Sequence, residues 1–192
     1  KKAAKLEALP EVKNGKSIND LIKEINSVIG EWVDTYKPII AGREKTLKAC
    51  GLEKTPGANI KVALLGTILA MISDLNMSLD DLKKAITITK EEPYIKFSVA
   101  EKYVAIFEAI EAWVMAYIDI QGRCADFVDK IEAVPDKATE IGEKAKDELE
   151  GSELNPLELV KVVKDTASSV SKIKNVAETL TDQIKGVPTE VK

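Results

Sequence analysis

The chain contains no histidine. That absence removes the commonest general base, the commonest zinc and iron ligand, and every Ser–His or Cys–His nucleophile pair. A di-iron bundle, which needs Glu-x-x-His on facing helices, is excluded with it. Cysteine is almost as scarce. Cys50 and Cys124 stand far apart and outside any CxxC pattern, which suits either one disulfide in an oxidising compartment or two buried thiols in a reducing one. Positive charge is not in excess. The net charge is −4, so nothing supplies the basic surface that a nucleic-acid backbone requires. Aromatic residues make up only 5%. No long hydrophobic run occurs: the longest strongly apolar stretch, Val62 to Ile72, has 11 residues, where a spanning helix needs ~20. Its default reading is a core helix.

Motifs are missing too. There is no G-x-G-x-x-G after a strand, no P-loop, no G-x-S-x-G, no kinase set and no EF-hand loop. The acids Asp147, Glu148 and Glu150 read as a solvated face, and Asp80-Asp81 as helix-start electrostatics. No cofactor, no metal and no catalytic residue are expected. Asn76-Met77-Ser78 is a glycosylation sequon, meaningful only if the protein is secreted. The first residues, KKAAKLEALPEV, carry neither an initiator methionine nor a signal-peptide pattern, as in a soluble mature chain or a fragment. Secreted and intracellular locations are equally compatible with this composition.

What is present is helical. Ala, Val, Ile, Leu, Lys and Glu dominate, with 45% hydrophobic and 31% charged residues, a soluble globular balance. Residues 1–16 read as a flexible basic arm. A first helix starts at Ser17, with Asp20 as the acidic partner in a capping box, and repeats apolar residues at Ile18, Ile22, Ile25, Ile29, Trp32, Tyr36 and Ile39. Steps of four and three make a packing seam. Pro38 is expected to kink or end this helix. A second helix is expected to open at Thr55-Pro56, with proline at the first helical position. It is apolar on nearly every side and should sit centrally or contact something greasy. A third, short helix is capped by Ser78 and Asp81, and Pro93 closes the segment. The fourth starts at Ser98 with Glu101, and carries a seam from Val99 to Ile131. A second stripe, including Phe107 and Ile118, should pack on another element or chain. Pro135 breaks the chain before a Lys/Glu-rich surface helix over 136–150. Asn155-Pro156 opens the last helix, whose stripe runs Leu157, Val160, Val163, Ala167, Val170, Ile173, Ala177, Leu180 and Ile184. Gly186 stops it, leaving 187–192 as a tail.

The first and fourth helices match at an offset of 81 residues. Ser17, Ile25, Ile29, Trp32, Val33 and Tyr36 meet Ser98, Ile106, Ile110, Trp113, Val114 and Tyr117, and Gly42-Arg43 meets Gly122-Arg123 after a one-residue slip. Thr55-Pro56 likewise echoes Asn155-Pro156. The pattern predicts an all-α, single-domain, elongated antiparallel bundle over 17–186, with four long and two short helices. It also suggests a duplicated helical hairpin, with pseudo-repeats of about 17–97 and 98–186.

These features favour a non-catalytic structural or interaction protein that joins other protein subunits in a larger assembly. The alternative is a lipid-binding or membrane-active bundle, suggested by Val62 to Ile72. Candidate contacts for a partner or an apolar ligand are Trp32, Tyr36, Trp113, Tyr117, Leu64, Leu65, Ile68, Phe107 and Ile118. The two Trp/Tyr pairs read first as core plugs with their polar tips outward, and second as the walls of a shared pocket.

Overall fold

The computed structural model describes residues 6–187. The protein is an all-α helical bundle of α1 (Ser17–Ala49), α2 (Ile60–Asp74), α3 (Leu79–Ala85), α4 (Glu101–Glu132), α5 (Val134–Glu148) and α6 (Pro156–Gly186). Three helices, rather than four, exceed thirty residues. A short antiparallel hairpin, β1 (Ile86–Ile88) and β2 (Ile95–Phe97), lies between α3 and α4 and pairs Thr87 with Lys96. The helical pattern does not anticipate it. Ile86-Thr87-Ile88 is β-branched throughout, and that chemistry favours a pleated strand. The chain divides into two compact units. One joins the segment up to Asp34 with Arg123–Val187, and the other is Thr35–Gly122. This division does not follow the pseudo-repeat boundary at 97/98.

The first unit is built of three rows. The initial half of α1 buries Ile18, Ile22, Ile25, Ile29 and Trp32, as its seam requires. Lys130 of α4 pairs with Glu31 at 2.6 Å, Lys137 of α5 with Glu24 at 3.2 Å, and the Ser17 N–H donates to Glu148 at 2.9 Å. These contacts descend α1 as they ascend the chain, so α5 continues the line of α4 antiparallel to α1. Pro135 does not break this row; it falls in the first turn of α5, where a missing N–H costs nothing. The third row, α6, keeps its expected start: Asn155 accepts from the Glu158 N–H, and Glu158 returns the bond to the Asn155 N–H.

Two expectations for the N-terminal segment are corrected. The described part of the arm, residues 6–16, is not loose. Asn26 accepts from the Leu9 N–H at 2.7 Å and donates to the Leu9 carbonyl at 3.0 Å, and Asn19 treats Val12 the same way. A carboxamide offers one donor and one acceptor side by side, so it pairs with an extended backbone as a neighbouring strand would. Residues 1–5 of the arm and 188–192 of the tail lie outside the described residues. Nor is Ser17 the cap: the Asp20 N–H donates to the Lys16 carbonyl, which places Ser17 already inside the helix.

The second unit packs the later half of α1, α2, α3, the hairpin and the first part of α4. Its core gathers Met71, Ile95, Tyr103, Ile106, Phe107 and Ile110. Pro38 does not end α1, which runs on to Ala49. Its ring is on the exposed side, while Ile39 and Thr46 are fully buried. Gly42 lies against α4: a Cβ there would come within 2.9 Å of the Trp113 Cα. Helix α2 does not open at Thr55-Pro56. The Ala58 N–H folds back to the Thr55 carbonyl, Gly57 takes φ +73°, and Asn59 caps the helix by accepting from the Val62 N–H. Ser98 is not a cap either; its N–H donates to Ala85 and closes the hairpin. The Ser78–Asp81 box forms as read.

Candidate docking surfaces

The aromatic residues fill the core. Trp32, in the first unit, is fully buried; its Nε1 donates to Gln183 Oε1 at 2.9 Å, and Phe127 meets it edge-on at 5.1 Å. Trp113 and Tyr117, in the second unit, are buried and stacked at 5.4 Å. Gln121 Nε2 donates to the Tyr117 hydroxyl at 2.9 Å. The Trp113 Nε1 has no acceptor among the described residues, a deficit of about 1–3 kcal/mol. Tyr36 is half-buried. Neither pair lines a groove described below. Phe107 is fully buried at 5.4 Å from Phe97. The second stripe of α4 is therefore split: Phe107 packs, whereas Ile118 is exposed.

The apolar surface of the second unit lies on α2, which is exposed along one side rather than central, the first of the two positions expected of that helix. Only Ala63, Thr67 and Met71 of α2 are buried. Leu64 and Ile68 are half-buried, Leu64 packing on the Met71–Phe107 core. Val62 is 46%, Leu65 56% and Leu69 57% exposed, and Leu75 and Leu79 extend the patch beyond the helix. The inward side carries Ala63 and Thr67 beside the larger Met71, with the Thr67 hydroxyl 3.7 Å from the Cys50 Sγ. The bulky aliphatics are left on the opposite side. No charge interrupts Val62 to Ser73, whereas an outward helix face in water is ordinarily charged. Asn76 sits exposed in the link to α3 with φ +52°, a left-handed conformation that asparagine tolerates.

A second apolar surface, missed by the sequence reading, lies in the first unit. The expected α6 stripe holds from Ile173 onward but not before it. The early half of α6 buries Val162, Thr166 and Ser169 instead, leaving Leu157 83% and Val160 66% exposed. Leu149, Leu159, Val160 and Val163 line a groove there, with Lys146 and Lys164 on its sides. Gly142 of α5 fits against Val170, where a Cβ would lie 3.3 Å from the valine methyl. That close approach fixes which side of α6 faces inward.

Electrostatics add no reactive group. The Ser78 hydroxyl and N–H hold Asp81 below the ordinary carboxylate value. Hydrogen bonding to Tyr103, helped by Asp74, holds Lys102 above the ordinary amine value. Burial pushes the Cys124 thiol up, which disfavours the nucleophilic thiolate. Both cysteines are free thiols. No group of three or more Cys, Asp or Glu side chains is placed to hold a metal ion among the described residues. No single helix there is long and apolar enough to cross a membrane. Compared with protein-family models, with curated proteins and with solved structures, the chain matches none.

Proposed function

We propose that the protein is a non-catalytic component of a larger assembly, docking on another protein subunit through the exposed face of α2. The observation that carries this reading is the uncharged row Val62, Leu65 and Leu69, with Leu75 and Leu79 also exposed in the chain that follows. At about 1.5–3 kcal/mol for fully burying one aliphatic side chain, covering the exposed fractions of these five contributes about 4–8 kcal/mol. Over residues 50–102, lysines and carboxylates are equal in number. An apolar centre with a mixed-charge surround resembles a protein–protein interface. A helix held on an anionic membrane would carry a cationic excess instead.

The test is a double substitution, Leu65→Lys with Leu69→Lys, at positions that solvent already reaches. The native chain should form a complex of defined mass with its partner subunit, by light scattering on cross-linked material, and should not float with lipid vesicles. The double variant should keep its helicity and lose the complex. A second reading has its own support: α2 and α3 together have the length and apolar composition of a broken membrane segment, bent by 120°. Flotation of the native chain with neutral vesicles, abolished by the same double variant, would replace the assembly reading with membrane insertion.

A further inference from the structure

The geometry points to a separate ligand site in the first unit: the groove between the end of α5 and the early half of α6 binds a free long-chain carboxylate, a fatty acid. The groove encloses about 480 Å³, within the range of small-molecule sites, ~300–1,000 Å³. Leu149, Leu159, Val160 and Val163 form an aliphatic floor for the chain, and Lys146 and Lys164 flank it. The ligand class follows from this pairing of an all-aliphatic floor with ammonium groups at its edge. Lysine stems cover apolar surface while their charged ends reach outward, where a carboxylate head would sit.

Two further observations support it. The first is the inverted side of α6. This helix turns Thr166 and Ser169 inward and leaves Val160 of the groove floor 66% exposed, an aliphatic surface that a ligand would cover. The second is the state of the two lysines. Lys130, Lys137 and Lys144 of the same unit are each paired with a glutamate, whereas others, Lys161, Lys172 and Lys174 among them, are not paired among the described residues. Lys146 and Lys164 form no ion pair among the described residues, although Glu150 also borders the groove. Two free ammonium groups outweigh that one carboxylate.

The experiment is calorimetric titration of the full chain with laurate, and with dodecylammonium as the cationic control of equal chain length, both below micelle-forming concentration. The expected result is one laurate per chain, with dodecylammonium at least about tenfold weaker. Val160→Asp, at an exposed position, should weaken laurate at least about tenfold by placing an unpaired charge on the aliphatic floor. Lys146→Gln with Lys164→Gln should remove the preference for laurate over dodecylammonium. The Leu65→Lys, Leu69→Lys variant should titrate as the native chain does, which separates this site from the α2 surface. Absence of saturable binding overturns the proposal. So does equal affinity for the two amphiphiles, or indifference to Val160→Asp in a variant that keeps its helicity. Binding to anionic vesicles with no uptake of free laurate overturns it in favour of a membrane surface.

Discussion

Gly42 and Gly122 are written as equivalents in the sequence, and replacing each with alanine should give opposite results. Alanine favours a helix over glycine by about 0.5–1 kcal/mol. At Gly122 nothing lies within 4 Å of the new methyl, so Gly122→Ala should stabilise the protein by about that amount. At Gly42 the methyl would meet the Trp113 Cα at 2.9 Å, its Cβ at 3.0 Å and its N at 3.2 Å. Two of these are backbone atoms of α4, and no rotamer change moves them aside. The helices must separate by roughly half an ångström to reach ordinary contact distance, at a typical overpacking cost of about 1–3 kcal/mol. Net of the helix preference, Gly42→Ala should destabilise by up to about 2 kcal/mol, and the two variants should differ by about 1–3 kcal/mol. For a chain of this length each kcal/mol moves Tm by about 2–4 °C, so thermal melts followed by circular dichroism, with urea titrations beside them, resolve the difference. Equal shifts of the same sign would refute the close approach of α1 to α4 at Gly42.

Trp32→Phe leaves Gln183 without its indole donor, while Trp113→Phe removes an N–H that already lacks an acceptor; the first should cost about 1 kcal/mol more in urea unfolding. Asn155→Ala should cost about 1 kcal/mol by removing the α6 cap, whereas Thr55→Ala, outside any cap, should leave the urea midpoint nearly unchanged. Asp81 titrates below its unfolded value. Its contribution to α3 is therefore complete above the ordinary carboxylate value and is lost as pH falls through the lowered folded value. Amide hydrogen exchange at Asp81 and Leu82 should stay protected until that lower pH. Because burial raises the Cys124 thiol, its alkylation by iodoacetamide near pH 8 should be slower than that of an unburied cysteine.

Much of the helical framework was legible, and the reasons are local. The Ser78–Asp81 and Asn155–Glu158 boxes formed because a cap needs only its own three-residue reach. The α1 and α4 seams were legible because a 4-3 spacing admits one packed stripe. Other starts were misread. Thr55-Pro56 and Ser98 have suitable residue types, but Gly57 turned the chain before the first helix could begin, and the hairpin claimed the Ser98 N–H. The resemblance between the two halves weakened at the same points. Of the matched features, Ser17 and Ser98 are not caps, Gly42 is in contact while Gly122 is open, and only Trp32 has a hydrogen-bond partner for its indole.

The candidate contacts divide along similar lines. Leu65 lies in a segment that is apolar on nearly every side, and nothing in its composition distinguishes a central helix from an exposed one. In α2 and early α6 nearly every side carries an apolar residue, so the hydrophobic pattern has no preferred direction. Small residues set the direction instead: Ala63 and Thr67 on α2, and Gly142 opposite Val170 on α5, allow close approach on one side and leave the larger aliphatics on the other. By itself the sequence determined the helical class, the existence of the strongly periodic helices, two of the caps, and the lack of histidine-based chemistry, since these depend on residue type and short-range spacing. Tertiary structure alone decided which apolar residues face solvent, because that choice depends on how near two helices can come, and the atoms that limit it are distant in the chain.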